Sequence, residues 1–147
     1  MQRLGEAIAT ELRAGDVVAL SGGLGAGKTT LARAIIAALG HTGEVPSPSF
    51  AIVEVYDPPH LRLPVVHADF YRLERAEEAE GIGLDDYREG RALIAEWPEN
   101  AGGFAFEAGC LSIGLEIVPD TSGQSSISGR IAIVEAGRDW LGRMPCL

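Results

Sequence analysis

The sequence predicts an α/β fold in three layers, a mostly parallel central sheet with antiparallel additions and helices packed around it. Three observations lead there. Val17-Val18-Ala19-Leu20 and Ala92-Leu93-Ile94-Ala95 are short, unbroken apolar runs, the pattern of strands buried on both faces. A glycine-rich segment and a helical periodicity follow the first run, so residues 15–40 read as strand, loop, helix. The length of 147 residues, with 46% hydrophobic and 22% charged, suits one domain, 1–147, around a single core.

Each element has its own reason. Leu4, Ile8 and Leu12 recur at i+4 before Gly15, which predicts an amphipathic helix over 3–14. Strand 17–20 comes next, then the glycine loop, then a helix over 29–39 with Leu31, Ile35 and Ala38 on one side and Gly40 as its stop. Gly43, Pro46 and Pro48 make 41–49 a loop. Strands over 50–56 and 65–67, joined through Asp57-Pro58-Pro59, are expected to pair as a hairpin. The run from Glu74 to Glu80 reads as a solvated helix, with a further turn from Leu84 to Arg88. A strand over 92–95 ends at Glu96, and Pro98 and Gly102-Gly103 break the chain after it. Two late strands, 111–118 and 130–135, flank a polar turn from Asp120 to Gly129.

Charge excludes some functions. The formal net charge is −9, and no run of Lys or Arg builds the basic face that direct binding to DNA or RNA requires. No stretch approaches the 18 or more apolar residues of a membrane span, and Met1 to Glu6 holds no apolar signal core, so a cytoplasmic protein is expected. Cys110 and Cys146 are too few for a disulfide framework or a zinc site and are expected as reduced thiols.

The chemistry centres on Gly22-Gly23-Leu24-Gly25-Ala26-Gly27-Lys28-Thr29, a full match to G-x-x-x-x-G-K-[ST], the P-loop of nucleoside-triphosphate-binding proteins. Glycines let successive backbone N–H groups turn inward around a phosphate, and the following helix adds the positive end of its dipole. Lys28 supplies a mobile point charge for the β- and γ-phosphates, and the Thr29 hydroxyl can ligate Mg²⁺. Of the 12 basic residues Lys28 is the one lysine, placed where a compact ammonium suits phosphate better than a planar guanidinium. A Mg²⁺-nucleotide site also needs an acid at the end of a neighbouring strand. Asp69, after Val65-Val66-His67-Ala68, and Glu96, after Leu93-Ile94-Ala95, both qualify, and either could equally be a solvated strand-end carboxylate.

Guanine-nucleotide switches read their base with Asn-Lys-x-Asp. With Asn100 as the one asparagine and Lys28 as the one lysine, that element is absent. A small-molecule kinase needs an arginine-bearing lid; Arg72, Arg75, Arg88 and Arg91 leave it open, although the chain is short for it. What remains is a minimal ATPase. Four segments then resemble the TsaE family of bacterial ATPases, which act in the threonylcarbamoyladenosine modification of tRNA. They are Leu24-Gly25-Ala26-Gly27-Lys28-Thr29-Thr30, Ser47-Pro48-Ser49-Phe50, His67-Ala68-Asp69-Phe70-Tyr71-Arg72 and Glu96-Trp97-Pro98-Glu99, and the likeness covers residues 4 to about 100.

The resemblance implies a P-loop NTPase-like fold and a reaction, ATP hydrolysis, with ATP and Mg²⁺ as cofactors. It places Gly22 to Thr30 and Ser49 around the nucleotide, with Ser49 where the family more often has Thr. Thr29 and Glu96 would hold Mg²⁺, and Asp69 would lie near the γ-phosphate. Lys28, Asp69 and Glu96 thus form the expected catalytic set. It further implies TsaB and TsaD as protein partners, with tRNA reached through them. A nucleotide-gated assembly switch, with hydrolysis only as a reset, uses the same loop and is the alternative. Trp97 is expected at the nucleotide, at a partner or in the core. His67 is expected to bond a loop carbonyl or the phosphate side of the site, and His41 and His60 to be solvated. Tyr71 and Arg72 could anchor a partner or the γ-phosphate, with a plain salt bridge as the other role for Arg72. The Glu74 to Glu80 helix is expected as a solvated face, with a partner surface as the minor option.

Overall fold

A computed structural model describes residues 1–59, 61–118 and 129–146. Helix α1 (Gln2–Glu11) precedes strand β1 (Val17–Gly22) and helix α2 (Lys28–Ala38). Strands β2 (Val53–Tyr56) and β3 (Val65–Asp69) follow, then the short helices α3 (Glu77–Gly81) and α4 (Leu84–Arg88) and strand β4 (Ala92–Glu96). A 3₁₀ turn at Pro98–Ala101 leads to β5 (Cys110–Val118) and β6 (Gly129–Ala136), and a second, Arg138–Trp140, follows β6.

The strands form one six-stranded sheet in the order β2-β3-β4-β1-β5-β6. β1 lies parallel to both β4 and β5, and β3 lies parallel to β4. The antiparallel additions are the two edges, β2 on β3 and β6 on β5. The expected hairpin and the mostly parallel sheet are therefore both present. Crossing from β1 through α2 and the hairpin puts β3 and β4 on one side of β1, and β5 closes the other. The strand pair flanking the loop is thus β4 and β5, with β4 carrying Glu96 at its end.

Period-two alternation sorts the strands' side chains into two layers. On one face Val18, Leu20, Ile94, Leu111 and Ile113 pack against Ile8 of α1 and Leu31 and Ile35 of α2. On the other, Val17, Ala19, Val66, Leu93 and Ala95 meet Phe70, Ala79 of α3, Leu84 of α4 and Phe104. Each fully buried Leu or Ile in these layers is worth about 1.5–3 kcal/mol of transfer free energy. Trp140 is fully buried in the first layer, where its Nε1 donates to the Gly109 carbonyl at 2.8 Å.

Several boundaries differ from expectation. Helix α1 stops at Glu11, not at residue 14, because Leu12 turns extended (φ −68°, ψ 138°) and Asp16 Oδ2 takes the Arg13 amide at 2.8 Å. The strand expected over 50–56 begins only at Val53, since a turn closed by Ile52 N on Pro48 O holds Phe50 and Ala51. Ile52 itself sits in the left-handed region at φ 69°, a conformation that breaks pleating. The helix expected from Glu74 shortens to Glu77–Gly81. Strands β3 and β4 each extend to the acid that follows the apolar run, Asp69 and Glu96. The polar turn at 120–128 and His60 lie outside the described residues. Cys110 is buried and Cys146 exposed, both free thiols.

Candidate functional site

The glycine loop joins the end of β1 to the start of α2. Gly25 and Gly27 adopt φ 77° and 109°, which a side chain would make costly, and Gly27 sits as the residue capping α2. Lys28 then opens α2 and is nearly buried, with its Nζ donating to the Gly22 and Gly23 carbonyls at 2.7 and 2.8 Å. The ammonium also lies 4.3 Å from the centroid of the Trp97 ring. Burial lowers the Lys28 pKa from its usual value, against an opposing pull from Glu96, Asp69 and Glu99. Two of the carboxylates that oppose that lowering, Glu96 and Asp69, are the acids at the strand ends.

Those acids sit side by side because β3 and β4 are in register, with Asp69 opposite Glu96. Both are nearly buried, at 5% and 2% exposure, so each must be answered by donors. Glu96 Oε1 accepts from the Thr29 hydroxyl at 2.7 Å, and Glu96 Oε2 accepts from His67 Nε2 at 2.6 Å. Asp69 Oδ2 accepts from Ser49 at 3.1 Å and Oδ1 from the Tyr71 amide at 3.0 Å. Ser47 bonds to Ser49 at 2.9 Å, completing a short hydroxyl relay.

Of these residues Thr29, Ser47, Ser49, Asp69, Tyr71 and Glu96 line one cavity of about 400 Å³, and His67 is buried outside its lining. Of the expected nucleotide set, Leu24, Gly25, Gly27, Lys28, Thr29, Thr30 and Ser49 face it, as do Asp69 and Glu96. Gly22, Gly23 and Ala26 do not line it. Gly22 and Gly23 instead supply the carbonyls that hold Lys28, and Ala26 is buried beneath the loop.

Several side chains take roles other than those expected. His67 bonds Glu96, not a loop carbonyl, because its place on β3 puts it one strand away from that acid; its Nδ1 has no hydrogen-bond partner among the described residues. Trp97 packs against the second core layer, the core role among its expectations, and also lines the cavity. It occupies φ 55°, an uncommon conformation for a bulky residue, directly after Glu96. Tyr71 also lines the cavity and lies 5.1 Å from Trp97, ring to ring. Arg72 stacks its guanidinium 4.1 Å from the Phe50 ring, and no ion pair to it occurs among the described residues. His41 is partly covered and meets the Tyr56 ring edge-on at 4.9 Å, so it is less solvated than expected.

Two cavity residues escaped the sequence reading. Ser47 lay inside a recognised motif, yet its reach to Ser49 depends on the turn at Pro48. Arg130, on edge strand β6, crosses to the glycine loop, a contact between residues 104 positions apart with no local signal.

A phosphate loop between a central parallel strand and a helix, with a strand-end acid on the neighbouring strand, defines a P-loop NTPase-like α/β protein. The model of the family described as threonylcarbamoyl adenosine biosynthesis protein TsaE matches residues 1–125, and the chain belongs to that family. The tRNA threonylcarbamoyladenosine biosynthesis protein TsaE of Streptomyces coelicolor is 45% identical over 100 residues, which is 67% of this chain and 68% of that protein. Its Haemophilus influenzae counterpart is 41% identical over 96 residues, covering 65% of this chain but only 60% of that one. The crystal structure of Bacillus subtilis YdiB superposes with a TM-score of 0.68 at 27% identity, over 95% of this chain and 80% of that one.

Proposed function

We propose that this chain, acting as a single domain in the cytoplasm, binds and hydrolyses Mg-ATP in the loop cavity. Hydrolysis would support threonylcarbamoyladenosine modification of tRNA together with TsaB and TsaD. The observation that carries the reading is the 2.7 Å hydrogen bond from the Thr29 hydroxyl to Glu96. It brings a loop hydroxyl and a strand-end carboxylate to one point, and hard oxygen donors of this kind suit Mg²⁺, which takes few protein ligands and keeps water and phosphate for the rest. When bound, Mg²⁺ would supply positive charge to the β- and γ-phosphate oxygens.

The chain's own groups divide the remaining work. Loop amides and Lys28 hold the polyphosphate and answer the charge that develops during in-line attack by water. The capture of Lys28 by two carbonyls keeps its ammonium aimed along the loop. Asp69, whose two oxygens accept from Ser49 and the Tyr71 amide, would orient the attacking water. Ser49 would sense the γ-phosphate through that same carboxylate. The net charge of −9 leaves the RNA to the partner proteins. Among the described residues no helix is long and apolar enough to cross a membrane.

The kinase alternative loses part of its lid. Arg88 is bound by Glu107 and Arg91 by Asp57, both as bidentate ion pairs away from the cavity. The test against the assembly switch is reconstitution with TsaB, TsaD, tRNA, ATP and an activated threonylcarbamoyl donor, counting modified tRNA per enzyme. Wild type should support many rounds and Glu96→Gln none; a Glu96→Gln protein that still binds the partners and sustains one round would favour the assembly switch. Sustained turnover with Glu96→Gln would show that hydrolysis is dispensable.

A further inference from the structure

We propose that Arg130 is a positioning residue for nucleotide binding, a brace that holds the phosphate loop from outside. This rests on the reading of the loop as a nucleotide site. It goes beyond what family membership supplies, because the family match ends at residue 125 and Arg130 lies past it.

Arg130 is the second residue of β6, opposite Ile117 of β5 in the antiparallel edge pair. Its Nε donates to the Ala26 carbonyl at 3.1 Å, and its Nη2 reaches the Gly25 carbonyl at 3.5 Å. In a trans peptide the C=O and the next N–H point in opposite directions. A donor that fixes the Ala26 carbonyl toward β6 therefore fixes the Gly27 N–H the other way. The Ala26 N–H is already committed to the Gly23 carbonyl at 3.2 Å, so the brace acts on the phosphate through the Gly27 amide.

A second observation makes the contact specific. A Cβ built on Gly27 would stand 3.5 and 3.6 Å from Arg130 Nε and Cδ and 2.6 Å from Met1 Cε, so the arginine stem packs at van der Waals distance on the loop's last glycine, beside the Met1 side chain. Glycine is favoured at 27 by its φ of 109°, and the arginine stem would still fit beside a Cβ there. Arg130 also borders the cavity, so direct contact with a bound polyphosphate is the alternative that the titration separates from the brace. A planar guanidinium can span two successive carbonyls, whereas an ammonium cannot do so in a fixed plane. The consequence is that the edge hairpin, far along the chain, sets the shape of the loop before nucleotide arrives.

The test is calorimetric titration of the full chain with ADP and with ATP, for wild type, Lys28→Ala, Arg130→Ala and Arg130→Lys. Loop amides bind ADP and ATP alike, so Arg130→Ala should weaken both by a similar factor, about tenfold, the worth of one charge-assisted hydrogen bond. Arg130→Lys should recover only part of that loss. Because Arg130 is exposed, the melting temperature of the nucleotide-free variant should stay at the wild-type value. Unchanged affinity in Arg130→Ala while Lys28→Ala loses binding would overturn the brace and leave the nucleotide site standing. A loss confined to ATP would make Arg130 a γ-phosphate contact instead. Full recovery in Arg130→Lys would reduce the effect to charge alone. No binding by wild type would overturn both readings.

Discussion

At the residue scale the site is a set of buried carboxylates that need donors. Glu96 is shared between Thr29 and His67, and both bonds are short. Removing His67 leaves Glu96 Oε2 buried without its donor, which costs about 1–3 kcal/mol for an uncompensated polar group. His67→Ala should therefore lower the unfolding free energy of the nucleotide-free protein by that amount, read as a lower urea midpoint at unchanged slope; an unchanged midpoint would mean that water replaces the imidazole freely. Lys28, Thr29, Asp69 and Glu96 were legible because each stands at a fixed offset within a motif or at the end of an apolar run. The partner of His67 was not. His67 and Glu96 are 29 positions apart, and their meeting depends on the β3–β4 register, which no local pattern specifies. Arg130 was hidden for the same reason over a longer span, since an arginine on a polar edge strand looks like any solvated charge.

At the element scale the apolar runs marked β1, β3 and β4 well, yet each strand continues past its run. Hydrogen bonding to neighbours carries Ser21, Gly22, Asp69 and Glu96 into the sheet although their side chains break the apolar pattern. Strand β2 was overestimated for the opposite reason. Phe50-Ala51-Ile52 has strand-forming composition, but the Pro48 turn bends it away and leaves Phe50 84% exposed beside the Arg72 guanidinium. The seating of α1 on α2 was invisible in the sequence because it depends on Gly5. A Cβ there would stand 2.5 Å from the Ala34 Cβ and 2.9 Å from the Ala34 carbonyl carbon. Gly5→Ala gains about 1 kcal/mol of helix propensity but forces two helix backbones apart, an overpacking cost of about 1–3 kcal/mol. The balance should be destabilising, read as a lower thermal midpoint. A higher midpoint would show that α1 slides without cost.

At the scale of the whole molecule, the end of the described chain is tied back to its beginning. Arg143 forms a buried bidentate pair with Asp16 at 2.7 and 2.8 Å and also donates to the Glu11 carbonyl. Trp140 packs beneath it, with the Arg143 guanidinium 4.2 Å from its ring. The same end of the chain follows β6, which pairs with β5 beside β1 and carries Arg130 to the glycine loop. The α/β class and the parallel core were readable from apolar runs and the loop between them. The closure was not, since it joins residues 127 positions apart and Asp16 reads in sequence only as a turn residue before a strand.

The central claim is that the cavity between α2 and the ends of β3 and β4 hydrolyses Mg-ATP. Its most direct test is release of inorganic phosphate from ATP by the purified chain with the TsaB–TsaD pair, with and without Mg²⁺, comparing wild type with Glu96→Gln at saturating nucleotide. The account predicts Mg²⁺-dependent release from wild type and a loss in Glu96→Gln on the order of a hundredfold, the scale of removing one group that stabilises developing charge. Equal release from both proteins would contradict it.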